Sequence, residues 1–375
     1  MNRFKIPAGK ILLLFLGLFL ALIILEAFLR IYNPFGFRIK NNRIVLPTNR
    51  TYRFQNRRLA KYAKEIIIKK NSIGFRGEEP PGGKSFDDFL TLINVGGSTT
   101  ECSLTSEGKT WTDLLDGNLK ASFKRVWINN AGFDGHSTVG HTILMNDYII
   151  KLRPKVLLFL IGVNEIGPRQ GVDEMEHLWI KSKIFDSEVI DLFANVYRYF
   201  EGRMMSRRLR HIVEVGYSKY EKPIQEWDRL ETQKDEWALI EKEHEQWLER
   251  FRQRLKNIVR LCRNNGIEPV FITQPSLFGD CNDEATGVYL GDIKASDGMN
   301  GKTWWKLLEL YNDVSRQVGQ EEAVFVIDLA RRMGKNSLFF ADKVHFTDAG
   351  QKNIADIVSH ELCPFLAKRF PEYAH

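Results

Sequence analysis

Three side chains of the types that catalyse acyl transfer are widely separated in this sequence. Ser98 follows an apolar run at residues 90–95 and two glycines, a pattern that exposes a hydroxyl nucleophile at the edge of an α/β sheet. Asp342 and His345 stand far downstream, three residues apart and just before another predicted helix. A nucleophile, a base and an orienting carboxylate are what nucleophilic catalysis needs. The sequence therefore predicts a catalytic triad of Ser98, His345 and Asp342.

Two further blocks of small and polar residues follow predicted strands. The second predicted strand leads to Gly132, and the third leads to Asn164. Because ligands of an open α/β sheet meet the carboxyl ends of its strands, these blocks should face the same substrate as Ser98. We expect the backbone amides of Ser98 and Gly132 and the side-chain amide of Asn164 to bind the developing oxyanion. This scheme requires no metal and no cofactor.

These blocks, in this order, resemble the SGNH (GDSL-type) hydrolases, whose motif residues run serine, glycine, asparagine and aspartate-x-x-histidine. Ser98 matches the nucleophile, Gly132 and Asn164 match the oxyanion-hole positions, and the aspartate and histidine of the predicted triad match the last block. The resemblance spans about residues 90–365. It implies a flavodoxin-like, three-layer α/β/α sandwich with a five-stranded parallel sheet.

Two positions depart from the pattern of that family. Gly97 replaces the aspartate usual before the nucleophile, and Glu165 replaces the aspartate usual after the asparagine. Neither is one of the four motif types, so the departures bear on substrate class more than on activity. The apolar N-terminus, residues 71–77 and residues 274–275 look like a membrane-anchored bacterial branch whose members are often tied to polysaccharide modification.

Short apolar runs alternate with helical patterns from residue 89 onward, which predicts a doubly wound parallel sheet. The helix predicted at residues 236–262 carries an apolar stripe that we interpret as a packing surface, with a solvated charged face opposite. Strands are predicted at residues 90–95, 126–128, 156–161, 270–273 and 324–327. The other predicted helices are residues 110–119, 139–152, 303–318 and 347–365.

The N-terminal segment is apolar enough to cross a bilayer. Residues 11–25 are apolar, Glu26 follows them, and Arg3, Lys5 and Lys10 precede them. No small-x-small cleavage site follows, so we favour an uncleaved anchor over a cleaved signal peptide. A short basic tail usually stays in the cytoplasm, which predicts a single-pass protein of the cytoplasmic membrane with its large domain outside, in the periplasm or at the cell surface.

These segments predict three parts. Residues 1–32 form the cytoplasmic tail and transmembrane anchor. Residues 33–88 form a basic connecting region that contains a strand at residues 65–69. Residues 89–375 form the catalytic domain, with a helical insertion at about residues 172–263.

Composition narrows the classes of partner. The net charge of +7 over 375 residues is modest, and no basic motif with interleaved aromatic residues occurs, which argues against nucleic-acid binding. The cysteines have no C-x-x-C spacing, which argues against structural zinc, although an exported domain could form one or two disulfides. The four cysteines are Cys102, Cys262, Cys281 and Cys363.

Two histidines and two tryptophans near these blocks could contact a substrate. His136 and His141 follow the second block, and we expect a helix-capping or surface role for both. Trp304 and Trp305 follow a glycine-rich loop, and we interpret them as core anchors of the next helix rather than as a sugar platform.

The sequence as a whole predicts a membrane-anchored serine esterase. We expect it to remove O-acyl groups, O-acetyl above all, from a cell-surface glycan through an acyl-Ser98 intermediate. Three alternatives stay open. They are an O-acyltransferase of the same glycans supplied by a membrane acyl-donor partner protein, a lipase or thioesterase acting near the bilayer, and a non-catalytic scaffold of glycan assembly.

Overall fold

The structure is a computed structural model in which the chain divides into two compact units. One unit comprises Met1–Val45 and Leu178–Ile212, and the other comprises Leu46–His177 and Val213–His375. The residues that the structure describes are 8–31, 39–40, 43–56, 60–82, 86–166, 187–190, 192–193, 222–230, 237–295 and 298–375.

The first unit contains the apolar N-terminal helix α1 (Ala8–Ile31). Within the described part of the chain, its span Gly9–Ile31 is the one helix long and apolar enough to cross a membrane. A signal sequence near an N-terminus has the same length and composition. Two short strands, β1 (Ile39–Lys40) and β2 (Arg43–Ile44), pair antiparallel after this helix.

The second unit is built on a six-stranded sheet. The strands of this unit are β3 (Arg50–Gln55), β4 (Glu65–Lys70), β5 (Arg76–Gly77), β6 (Leu90–Gly96), β7 (Val126–Asn130), β8 (Val156–Ile161), β9 (Glu268–Thr273) and β10 (Phe325–Ile327). The order of strands in the sheet is β10-β9-β8-β6-β7-β5. Strands β6 to β10 are parallel, which confirms the five predicted parallel strands. The sixth strand, β5, was not predicted, because it is only two residues long; it pairs antiparallel with β7.

Helices pack on both faces of this sheet. The helices of this unit are α2 (Ser98–Glu101), α3 (Trp111–Lys120), α4 (Thr138–Leu144), α5 (Ile150–Leu152), α6 (Trp237–Asn264), α7 (Gly301–Glu321), α8 (Leu329–Arg332) and α9 (Asp348–Arg369). Helix α3 packs against α9 on one face, and α6 packs against α7 on the other. The predicted helix at residues 139–152 is interrupted, because a π-helical turn at Met145–Ile149 separates α4 from α5.

Side-chain caps explain where three of these helices begin. Thr110 and Asp113 form a capping box at the start of α3. Asn300 caps α7 by accepting a hydrogen bond from the backbone of Thr303, and Thr347 caps α9 in the same way. Each cap satisfies an N–H group that has no acceptor inside the helix.

The sheet forms the centre of the core. Every residue of β6, β7 and β8 is buried, which explains why these runs are apolar without strict alternation. Trp304 is 4% exposed and packs edge-on against Phe278, as expected of a core anchor. On α6, Phe251 and Leu255 are buried, so the carboxyl-terminal half of its apolar stripe is a packing surface as predicted.

Strands β3 and β4 form a separate antiparallel hairpin, and β4 coincides with the strand predicted at residues 65–69. The hairpin is bonded to the segment that follows α2. The carbonyl oxygen of Ile67 accepts a hydrogen bond from the Glu107 N–H, and the Ile67 N–H donates to Ser106 Oγ. The predicted domain boundaries stay predictions. Much of the predicted insertion, at residues 172–186, 191, 194–221 and 231–236, lies outside the described residues.

Candidate active site

Folding brings Ser98, His345 and Asp342 into one hydrogen-bonded chain. The Oγ atom of Ser98 lies 2.8 Å from Nε2 of His345. The Nδ1 atom of the same imidazole lies 2.7 Å from Oδ2 of Asp342. The other carboxylate oxygen of Asp342 accepts the backbone N–H groups of Val344 and His345, both at 2.8 Å. These two hydrogen bonds hold the Asp342 carboxylate in place, and the carboxylate in turn orients the imidazole of His345.

The nucleophile position is created by the end of a buried strand. Strand β6 ends at Gly96, Gly97 is the residue before the helix, and Ser98 is the first residue of α2. This helix is four residues long, and Cys102, the residue after it, has a left-handed φ of 54°. The serine hydroxyl thus stands at the carboxyl end of a central strand, where open α/β sheets bind ligands.

Burial and charge together set the protonation of the two acid–base groups. Burial alone would raise the pKa of Asp342, but the His345 charge and the hydrogen bonds that the carboxylate accepts lower this pKa to about 2. Burial alone would lower the pKa of His345, but the adjacent Asp342 carboxylate raises it above its usual value. Each group therefore stabilises the charged form of the other.

Two of the three predicted oxyanion donors lie at the ends of neighbouring strands. The Ser98 N–H is the first of α2, and such N–H groups have no acceptor inside their helix. Asn164 lies in a short 3₁₀ turn after β8, and its Nδ2 donates to the carbonyl oxygen of His136 at 2.9 Å. An amide group carries two N–H donors, so this bond fixes the side chain and uses only one of them.

Gly132, the third predicted donor, is tightly packed beside the nucleophile helix. A Cβ atom at this position would lie 2.3 Å from the backbone nitrogen of Glu101, so only glycine fits. The Gly132 N–H donates to Oδ1 of Asn130 at 2.8 Å, which means that this donor already has an intramolecular acceptor. Asn130 also donates to the carbonyl oxygen of Thr100. Asn130 stands two residues before Gly132, and no role was predicted for it from the sequence.

A buried ion pair supports the loop that carries Asn164. The Glu165 side chain is 1% exposed, and its Oε2 lies 2.6 Å from Nη2 of Arg254. Its other oxygen accepts the Thr138 backbone N–H, and Arg254 Nε donates to the Thr138 hydroxyl. Arg254 lies at the edge of the apolar stripe of α6, three residues after Phe251, so this side of the helix carries a buried polar contact as well as apolar packing. The residues of the opposite, charged face are exposed, as predicted. No local sequence signal identifies Arg254, because its partners are far away in the chain.

Arg76 was also missed and stabilises the segment after the nucleophile. Its guanidinium is 1% exposed and donates to the carbonyl oxygens of Glu101, Cys102 and Thr105. Its Nε lies 2.8 Å from a carboxylate oxygen of Glu107. A cation with this many acceptors holds the chain beyond Ser98 in a single conformation.

The serine and histidine open into a pocket of about 230 Å³. Hydroxyl, carboxylate and amide groups contribute much of the wall, including Tyr62, Ser103, Asp134 and Gln351. Asp134 is exposed, and its charge also acts to raise the pKa of His345. The pocket is therefore small and polar close to the nucleophile.

The nearby histidines differ from their predicted roles, and the cysteines are free thiols. His136 and His141 are each 1% exposed, so the expected surface role is wrong, and Ser137 provides the cap of α4 instead. The His136 ring stacks on Phe133. None of the four cysteines, all of which are described, forms a disulfide. In the described ranges, no group of three or more His, Cys, Asp or Glu side chains is placed to hold a metal ion.

One family model matches this chain. A model described as "GDSL-like Lipase/Acylhydrolase family" matches residues 95–352, which is more than half of the chain. An acetylxylan esterase from Geobacillus stearothermophilus is 14% identical, with a TM-score of 0.40, over 72% of this chain and 93% of that one. A lipase/acylhydrolase from Enterococcus faecalis is 14% identical, with a TM-score of 0.41, over 74% and 97%. A search of curated protein sequences finds no match.

Proposed function

Because the chain belongs to the GDSL-like lipase/acylhydrolase family, we propose that it hydrolyses O-acyl esters, O-acetyl above all, of a cell-surface glycan through an acyl-Ser98 intermediate. Family membership makes the protein an ester-hydrolysing serine hydrolase. The observation that carries the proposed mechanism is the hydrogen-bonded chain from Ser98 through His345 to Asp342.

Acylation begins when neutral His345 accepts the hydroxyl proton of Ser98 through Nε2. The serine oxygen then bonds to the ester carbonyl carbon, and the carbonyl oxygen becomes an oxyanion. The Ser98 N–H and the Asn164 side chain donate to that oxyanion, and the Gly132 N–H contributes if it is shared between Asn130 and the substrate. The Asp342 carboxylate stabilises the imidazolium that forms.

Collapse of this intermediate breaks the bond between the carbonyl carbon and the alcohol oxygen. His345 gives its proton to the departing alcohol, and the acyl group stays on Ser98. A water molecule then transfers a proton to His345 and attacks the acyl carbonyl carbon. Departure of the serine oxygen, which takes the proton back, releases the carboxylic acid and regenerates the site.

The size and polarity of the pocket support a substrate in which a short acyl group is esterified to a sugar. The space beside Ser98 is about 230 Å³ and is lined in large part by polar groups. Long hydrocarbon chains gain free energy by leaving water for apolar surroundings, which this pocket offers only in part. A sugar alcohol can instead hydrogen-bond to groups such as Ser103 and Asp134.

The proposed location follows from α1. We propose that this helix anchors the enzyme in the cytoplasmic membrane with the catalytic domain outside, in the periplasm or at the cell surface. Its 23-residue apolar span Gly9–Ile31 supports the anchor. A sugar hydroxyl in place of water as the second acceptor would turn the same acyl-enzyme into a transferase, which would need an acyl donor such as a membrane partner protein.

Active-site labelling tests the mechanism directly. A fluorophosphonate reagent should label the folded protein at Ser98 at a pH where His345 is neutral, and Ser98→Ala should abolish labelling. The same preparation should release acetate from a soluble aryl acetate. Absence of both labelling and acetate release in a folded wild-type protein would refute the proposed function.

A further inference from the structure

A second pocket, of about 450 Å³, adjoins the pocket that contains the nucleophile. The two pockets share Ser103 and Leu104 as lining residues, so these residues form their common wall. The far side of the second pocket is the β3–β4 hairpin, which precedes the matched residues 95–352. A segment of this chain outside the matched region therefore enlarges the site. We call this space the hairpin pocket.

Most of the surface of the hairpin pocket is apolar. Tyr52 lies on β3, Ile66 and Ile68 lie on β4, and Leu104 and Phe133 come from the catalytic fold. Tyr52 pairs with Ile68 across the hairpin. Ile66 and Ile68 are two residues apart on one strand, so their side chains project from the same face of the hairpin. An open apolar pocket with a few polar groups is typical of sites for organic ligands.

A charged pair interrupts this apolar surface. The Lys70 Nζ lies 3.4 Å from Oε1 of Glu101, with side chains only 8% and 17% exposed. The Glu101 Oε2 accepts the backbone N–H of Asp134 at 2.7 Å. Covering this pair with hydrocarbon would remove its remaining water and return no hydrogen bond. The occupant must therefore offer apolar surface and hydrogen-bonding groups together.

We propose that the hairpin pocket is a glycan subsite, which holds the sugar unit next to the acylated one. The proposal rests on the proposed function, because it extends the same substrate away from Ser98. A pyranose ring packs its apolar C–H faces against Tyr52 and Phe133. The hydroxyl groups at its edge hydrogen-bond to Lys70 and Glu101.

The attachment of the hairpin makes this subsite rigid. Besides the two hydrogen bonds of Ile67 described above, the Lys69 N–H donates to Oε1 of Glu107 at 3.0 Å. Arg76 binds the same Glu107 carboxylate and two carbonyl oxygens of the chain that follows α2. A subsite that is already ordered loses little conformational entropy when ligand binds.

The test compares substrates that differ by one sugar unit. Monoacetates of glucose, galactose and N-acetylglucosamine are paired with the matching monoacetylated disaccharides, and kcat/KM is measured for each. The readout is the ratio of disaccharide to monosaccharide in wild type, Tyr52→Ala, Tyr52→Phe and Thr51→Ala. Tyr52→Phe keeps the ring, and Thr51 is an exposed neighbour that projects from the other face of β3.

At least one wild-type pair should show a gain of roughly threefold to tenfold for the disaccharide, the value of one aromatic contact. Tyr52→Ala should abolish the gain, whereas Tyr52→Phe and Thr51→Ala should keep it. A ratio near one for every wild-type pair would overturn the subsite while acetate release from a simple aryl acetate continued.

Two other outcomes are distinguishable. A wild-type preference for octanoyl over acetyl aryl esters that Tyr52→Ala abolishes would assign the pocket to hydrocarbon chains and overturn the glycan subsite. Failure of fluorophosphonate labelling and of every esterase assay would refute the proposed function, and the subsite with it.

Discussion

A β-carbon at position 97 would lie 2.4 Å from Nδ2 of Asn164. The backbone φ of Gly97 is −85°, so a larger residue is disfavoured here by the position of the Asn164 side chain and not by backbone conformation. Gly97 and Glu165, the two departures from the usual motif, therefore both adjoin Asn164, since Glu165 follows it directly in the chain. The glycine before the nucleophile and the asparagine of the proposed oxyanion hole therefore depend on each other.

Gly97→Ala should impair catalysis with little effect on folding. The new methyl group meets the end of the Asn164 side chain, which can rotate away but then no longer points at the oxyanion. We expect kcat to fall by roughly 10²-fold, as when an oxyanion donor is lost. Steady-state kinetics and thermal unfolding should be measured together. Gly117→Ala on α3 is the matched control, since a Cβ there meets nothing within 4 Å. Unchanged kcat in Gly97→Ala would contradict the proposed role of Asn164.

Asp342→Asn should move the pH profile of the enzyme and slow it. The Asp342 carboxylate raises the pKa of His345, so its loss lowers that pKa. Since the base must be neutral, the acidic limb of kcat/KM should shift to lower pH, and kcat should fall by roughly 10³- to 10⁴-fold. The measurement is kcat/KM for an aryl acetate as a function of pH. A limb that stays in place or moves to higher pH would show that Asp342 does not set the charge of His345.

Arg254→Met should destabilise the protein and reduce activity through the Asn164 loop. The change removes an ion pair from Glu165, whose carboxylate is 1% exposed, and should cost roughly 1–3 kcal/mol of unfolding free energy. Urea unfolding gives the loss of stability. The double variant Arg254→Met/Glu165→Gln should recover part of that loss, because the neutral amide does not need the guanidinium. A double variant no more stable than Arg254→Met would argue against this pair as the cause.

Reducing agents should leave the melting temperature unchanged, because none of the four cysteines forms a disulfide. Burial raises the pKa of Cys102 and Cys262 to about 12, so both thiols should resist iodoacetamide in the folded protein. Burial also raises the pKa of Cys281, but this residue is exposed and should be alkylated first. Mass spectrometry of a labelling time course checks the order. Rapid modification of Cys102, which lines the nucleophile pocket, would contradict this assignment of its environment.

Features encoded in short stretches were predictable. The runs that became β6 to β10 are apolar because both faces of the sheet are covered, and the cap at Thr347 marks the start of α9 within one residue. Residues 139–152 were predicted as one helix, and the π-helical turn inside them has no clear mark in the sequence. The two-residue strand β5 was missed for a related reason, since its pairing depends on β7 and not on its own composition.

The sequence by itself determined the residue types and their order, from the glycines before Ser98 to the aspartate and histidine near the end of the chain. Local backbone preferences and hydrophobic period act over a few residues, so a single sequence reveals them. Only the tertiary structure decided that Arg254 reaches Glu165, that Asn130 occupies the Gly132 N–H and that the β3–β4 hairpin walls a second pocket. Those contacts join residues far apart in the chain. Apolar burial, which drives the chain together, is not directional and so does not specify in advance which polar groups will meet.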